Sequence, residues 1–127
     1  MRKILLADDD DMFREMIETV LSGAGYQVIA AKDGQEGWER LVSEGADMVI
    51  LDINMPRLTG TELTTRIRTD DRFKDLPIML LTIRELIEDQ LAGYERGADD
   101  YMMKPFNGDM LLARVRALER RTLDTKP

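Results

Sequence analysis

The 127-residue chain contains no cysteine and no histidine. The first absence excludes disulfides and thiolate chemistry. The second excludes imidazole acid–base catalysis and histidine metal ligation. Any metal held here must be a hard cation bound through oxygen. Long hydrophobic runs are missing too. No apolar stretch approaches a membrane span, and the one following Met1-Arg2-Lys3 is too short for a secretory signal. Positive charge is in deficit, with 18 basic against 25 acidic residues and a net charge of −7. Such a surface repels phosphate backbones, so this domain is expected to bind neither nucleic acid nor membrane, and a cytoplasmic location is the default expectation. What remains is ordinary: a 43% apolar share and a length that suits one domain.

Apolar runs and amphipathic stretches alternate along the chain. Ile4–Ala7, Met48–Leu51 and Ile78–Leu81 are continuous apolar runs, the pattern of parallel strands covered on both faces. Val28–Ala31 and Tyr101–Met103 are weaker, as edge strands would be. Phe13, Met16, Ile17, Val20 and Leu21 recur at helical spacing before Gly25. Trp38, Leu41 and Val42 mark a second helix, and Leu63 and Ile67 a third. Leu86, Ile87, Leu91 and Tyr94 mark a fourth, closed by Gly97, and Leu111, Leu112, Val115 and Leu118 mark the last. Strand then helix, five times over, predicts an α/β doubly wound sheet of five parallel strands flanked by five helices.

In open α/β sheets, sites form at the carboxyl ends of the strands. The first strand runs into Asp8-Asp9-Asp10-Asp11, the third ends at Asp52, the fourth at Thr82 and the fifth at Lys104-Pro105. Gathered carboxylates repel, by ~1 kcal/mol per pair at ~4 Å in water and ~4 kcal/mol at an intermediate dielectric. A divalent cation relieves that repulsion, and an all-oxygen set suits Mg2+. Asp52 is then the natural nucleophile, a carboxylate on a rigid strand end that would form an aspartyl phosphate. Thr82 would hydrogen-bond a phosphoryl oxygen and Lys104 would neutralise another. Taken singly, each residue has a duller reading. Asp10 or Asp11 suits a helix N-cap, Asp52 before Met55-Pro56 a turn, Thr82 a cap, and Lys104 the surface. Four strand ends carrying a complementary set favour the chemical reading.

With those residues in view, the sequence resembles the receiver domain of two-component response regulators. The resemblance is carried by Lys3–Asp10 (KILLADDD), Lys32–Trp38 (KDGQEGW), Val49–Gly60 (VILDINMPRLTG), Pro77–Thr82 (PIMLLT) and Gly97–Phe106 (GADDYMMKPF). It implies a flavodoxin-like strand order of 2-1-3-4-5 and a receiver spanning residues 1–121, with 122–127 a tail or the start of a linker. By position, Asp52 would be phosphorylated by a sensor histidine kinase or a phosphotransfer protein. Asp9, Asp52 and the Asn54 carbonyl would ligate Mg2+ (Mn2+ is the alternative), and Asp8 would act through a metal-bound water. Lys104-Pro105 would be a cis peptide. Tyr101 would be the aromatic switch, turning inward as Thr82 moves toward the phosphate. The face made by the fourth helix, fifth strand and fifth helix would then change its affinity for a downstream partner or effector domain. Such a domain is no enzyme acting on a separate substrate: phosphoryl transfer to Asp52 and autodephosphorylation are its own chemistry.

Some positions depart from the family pattern. Ile83 stands where a small residue is usual and should crowd the mouth of the site. Asn54 and Arg84 flank the phosphoryl position and tune its hydrolysis in the family. Gly37 stands where alanine is common and should cost up to ~1 kcal/mol. The nine methionines read as core filler, and Trp38 as packing. The last helix carries Arg114, Arg116, Arg120 and Arg121 and the fourth carries Glu85, Glu88, Asp89 and Glu95, so a phosphorylation-dependent homodimer paired by charge across this face is an expectation beside a merely solvated helix. Two other classes stand against the switch. A Mg2+-dependent phosphohydrolase of the haloacid dehalogenase type would carry Asp-x-Asp-x-Thr, but Asp8 and Asp10 are followed by Met12. A scaffold that has lost the chemistry would lack a site residue, and none is missing.

Overall fold

The structure, a computed structural model, describes residues 2–83 and 97–123. Five strands form one parallel sheet: β1 (Lys3–Ala7), β2 (Gln27–Ala31), β3 (Met48–Asp52), β4 (Ile78–Ile83) and β5 (Asp100–Lys104). Their order is β2-β1-β3-β4-β5, as expected. The described helices are α1 (Asp11–Gly23), α2 (Gly34–Glu44), α3 (Gly60–Arg68) and a C-terminal helix (Gly108–Thr122). The helix expected around Leu86 to Tyr94, the rim residue Arg84 and residues 124–127 lie outside the described residues.

The continuous apolar runs divide by alternation between two cores. Leu5, Ala7, Val49, Leu51 and Leu80 point to one face, where Leu41 of α2 and Leu63 and Ile67 of α3 cover them. Ile4, Leu6, Ile50, Met79 and Leu81 point to the other, against Ile17 and Leu21 of α1 and Leu111, Val115 and Leu118 of the C-terminal helix. A strand buried on both faces needs no polar partner positions, which is why β3 is buried from Met48 to Asp52. Edge strands β2 and β5 are only partly covered.

Side-chain caps start the helices where the strand-end loops finish. Asp10 accepts from the Phe13 amide (3.1 Å) and Asn107 from the Met110 amide (2.8 Å). Thr59 and Glu62 close a reciprocal capping box on α3. Each such cap stabilises its helix by ~1 kcal/mol.

Two packing expectations need correction. Met48, Met55, Met79 and Met102 fill the cores, but Met12, Met103 and Met110 are exposed, Met12 by 82%. Met12 and Met110 lie on first helical turns and Met103 on an edge strand. Gly37 is also more than a helix-propensity loss. A Cβ there would meet the Ala7 Cβ at 3.2 Å, so glycine lets α2 lie close on the sheet. Trp38 packs as expected, half-buried with its ring edge-on to Phe73 at 6.0 Å and Arg66 over its face.

Candidate functional site

Strand register decides which side chains meet. Pairing runs Ala7 with Leu51, Asp52 with Leu81, and Ile83 with Lys104, so β1, β3, β4 and β5 deliver their last residues to one edge of the sheet. Asp8 leaves β1 there with its amide bonded to the Ala31 carbonyl at 3.1 Å. Just past the end of β1 two neighbours in sequence part: Asp8 is fully buried and Asp9 is exposed. Asp52 is 8% exposed. An open cleft above them is lined by Asp9, Phe13, Asn54, Ile83 and Lys104, among others.

Lys104 holds the centre. Its ammonium lies 3.0 Å from Asp8 Oδ2 and 3.3 Å from Asp52 Oδ2. The contact to Asp52 has hydrogen-bond geometry, whereas Asp8 Oδ2 is paired by charge and receives no aligned donor among the described residues. The other carboxylate oxygens are held by the backbone. The Asp10 amide donates to Asp8 Oδ1 (2.9 Å) and the Asn54 amide to Asp52 Oδ1 (3.3 Å). Arg14 reaches back from α1 to donate to the Asp8 carbonyl (2.9 Å) and to Asp11 (2.5 Å).

One ammonium does not neutralise three carboxylates. Burial, and then the Asp8 charge, push the Asp52 carboxyl up to about 7, against the opposing pull of Lys104 and the Asn54 amide. Burial disfavours the charge on Lys104, but Asp8 and Asp52 outweigh it and hold the ammonium above its usual range. Oxygens of Asp8, Asp9 and Asp52 lie within 4.8 Å of one another. This all-oxygen set, with a buried Asp8 oxygen that receives no aligned hydrogen bond from the described residues, fits a small hard cation.

The loop from β3 to α3 approaches its neighbours through two glycines. A Cβ on Gly60 would stand 2.3 Å from the Asp52 carbonyl, and one on Gly34 would stand 1.8 Å from the Leu58 carbonyl. Only glycine permits either approach. Arg57, in the β3–α3 loop, has a left-handed φ of 70°.

Asp8, Asp9, Asp52, Asn54, Ile83 and Lys104 are thus brought together, and the Lys104–Pro105 peptide is cis. Ile83 is 41% exposed at the rim. Thr82 reaches the same strand end, but its side chain is buried and its hydroxyl donates to the Ile83 carbonyl at 3.2 Å. Tyr101 is 6% exposed and packs in the core shared with α2 and α3. Arg114 pairs with Asp100 at 3.0 Å, and Arg121 donates to the Asp99 carbonyl. Helical spacing places Phe13 on the apolar face of α1 and gives Arg14 no part in the site. Their signal was position: both fall in the first turn after the acidic run, the turn nearest the strand ends.

A parallel sheet presenting three carboxylates and a lysine at its carboxyl edge defines the class. Residues 4–116 match the family model of the response regulator receiver domain, and the chain belongs to that family. Its relatives include the response regulator MprA of Mycolicibacterium vanbaalenii, 46% identical over 120 residues, covering 94% of this chain and 51% of that protein. The DNA-binding dual master transcriptional regulator RpaA of Synechocystis is 41% identical over 122 residues, covering 96% and 51%. Among solved structures, the chemotaxis response regulator CheY4 of Vibrio cholerae matches with a TM-score of 0.88 at 35% identity, over 93% of this chain and 98% of that one. The chain spans about half the length of the curated relatives it matches.

Proposed function

We propose that this chain is a phosphorylation switch in which Asp52 accepts a phosphoryl group from a sensor histidine kinase or a phosphotransfer protein. The observation that carries this reading is the single ammonium of Lys104 set between Asp8 and Asp52, with Asp9 open to the cleft.

An Asp52 oxygen attacks phosphorus, the P–N bond of the donor phosphohistidine breaks, and its electron pair returns to the imidazole. Lys104 is close enough to exchange its Asp52 contact for a phosphoryl oxygen. Thr82 would rotate its hydroxyl away from the Ile83 carbonyl to reach another, and Tyr101 would hold the inward position as the switch completes. Attack by water on the same phosphorus returns Asp52 and inorganic phosphate, and Asn54, Ile83 and Arg84 border its approach. Asp8, Asp9, Asp52 and the Asn54 carbonyl are the groups to hold Mg2+ or Mn2+, which when bound supplies charge neutralisation for the transferring phosphoryl group.

The output surface is the face around β5 and the C-terminal helix, with a homodimer or an effector domain as its partner. The curated relatives are about twice as long, and one of them is named as DNA-binding. A net charge of −7 supports an indirect role in any such output. Membership of the receiver family supports assigning the receiver, residues 1–121, to the cytoplasm. No described helix is long and apolar enough to cross a membrane. The test is intact mass after incubation with acetyl phosphate and Mg2+. The reading predicts a gain of one phosphoryl group that Asp52→Asn does not show; no gain would favour a scaffold.

A further inference from the structure

An ammonium has three donors; on Lys104 one is given to Asp52, while Asp8 is held by charge at 3.0 Å. Its side chain is only 9% exposed, so water does little for the rest of the charge. What stands beside it is a ring: the ammonium lies 4.4 Å from the centroid of Phe13. That is well inside cation–π range, and the interaction strengthens when the cation is desolvated.

The ring is itself held. Phe106 packs against it at 5.6 Å with a 49° tilt and is 9% exposed. Lys104 and Phe106 belong to the same short segment, so Lys104-Pro105-Phe106 grips Phe13 from both ends. At the backbone, the Phe13 amide is bonded to Asp10 in the loop that also carries Asp8 and Asp9. Phe13 therefore couples the carboxylate loop to the segment bearing the lysine.

We propose that Phe13 is a positioning residue for Lys104, its ring face holding the ammonium over the Asp8–Asp52 pair for transfer to an incoming phosphoryl oxygen. The inference rests on the phospho-acceptor reading above. The chemistry favours a ring over the alternatives. A third carboxylate would hold the lysine too tightly to release it, and water would leave a flexible four-carbon stem free to collapse onto one aspartate. A neutral quadrupole fixes the position without competing for the charge. The duller role is core packing, but Phe13 lines the open cleft beside Asp52.

Two variants separate these roles. Phe13→Leu keeps an apolar contact to Phe106 and removes the ring face, whereas Phe13→Tyr keeps the face. With acetyl phosphate and saturating Mg2+, we expect Phe13→Leu to be phosphorylated about fivefold more slowly and Phe13→Tyr to restore the rate. Independently of any phosphodonor, the Lys104 Hε protons should resonate upfield under the ring current in wild type and Phe13→Tyr, and lose that shift in Phe13→Leu. An unchanged rate in Phe13→Leu, or Hε shifts that ignore the substitution, would overturn the proposal. If wild type takes no phosphoryl group, the phospho-acceptor reading fails by itself, and the Hε shifts alone decide whether Phe13 places Lys104.

Discussion

The ammonium of Lys104 sits 3.3 Å from the Asp52 carboxylate and closer still to Asp8, and among the described residues it leaves the acidic cluster short of positive charge. The site is consequently built at a cost to the resting fold.

That cost has a pH signature. The Asp52 carboxyl is raised from 3.8 to about 7, so the folded protein binds its proton more tightly than the unfolded chain does. Stability from this group is complete below the unfolded value and is lost as pH rises through the folded one. In metal-free buffer, Asp52→Asn should match wild type near the lower limit and exceed it by about 1–3 kcal/mol on the alkaline side of that window. Urea unfolding across the window measures this; parallel curves would remove the claim of a strained carboxylate.

Added Mg2+ should act on the same imbalance. At about 100 times its Kd a ligand specific for the folded state adds ~2.7 kcal/mol. Wild type should gain stability of that order, while Asp9→Asn, which removes the exposed oxygen donor, should gain far less. Denaturation with and without Mg2+ distinguishes the two, and equal gains would exclude Asp9 from the metal's ligands.

Ile83 stands 41% exposed at the rim of the cleft, a branched side chain beside the path to Asp52. Phosphorylation of Ile83→Ala by acetyl phosphate should therefore be faster than that of wild type. Equal time courses would show that the rim does not limit access.

Gly60 touches the Asp52 carbonyl too closely for any Cβ. Gly60→Ala must push the loop away from β3 and should cost about 1–3 kcal/mol, as overpacking does. A urea midpoint equal to wild type would mean that the loop yields freely.

Much of this was readable in the sequence, for reasons particular residues make clear. Met48–Leu51 announced a strand covered on both faces, and the fold rule for parallel sheets then brought Asp8, Asp52 and Lys104 to one edge whatever their separation. Side-chain orientation was not readable. Nothing in the order of residues told that Asp8 would be buried and Asp9 exposed, that the Thr82 hydroxyl would bond the Ile83 carbonyl, or that the Phe13 ring would face an ammonium. Gly37 looked like a weak helix residue until the 3.2 Å approach to Ala7 gave it a packing role. The exposed methionines escaped because composition does not distinguish a core position from a first helical turn.

The central claim is that Asp52 is the acceptor, and chemical trapping addresses it most directly. Borohydride reduces an aspartyl phosphate to homoserine, which peptide mass spectrometry can locate. After incubation with acetyl phosphate and Mg2+, homoserine should replace aspartate at position 52 alone. Homoserine at another aspartate, or at none, would contradict the account.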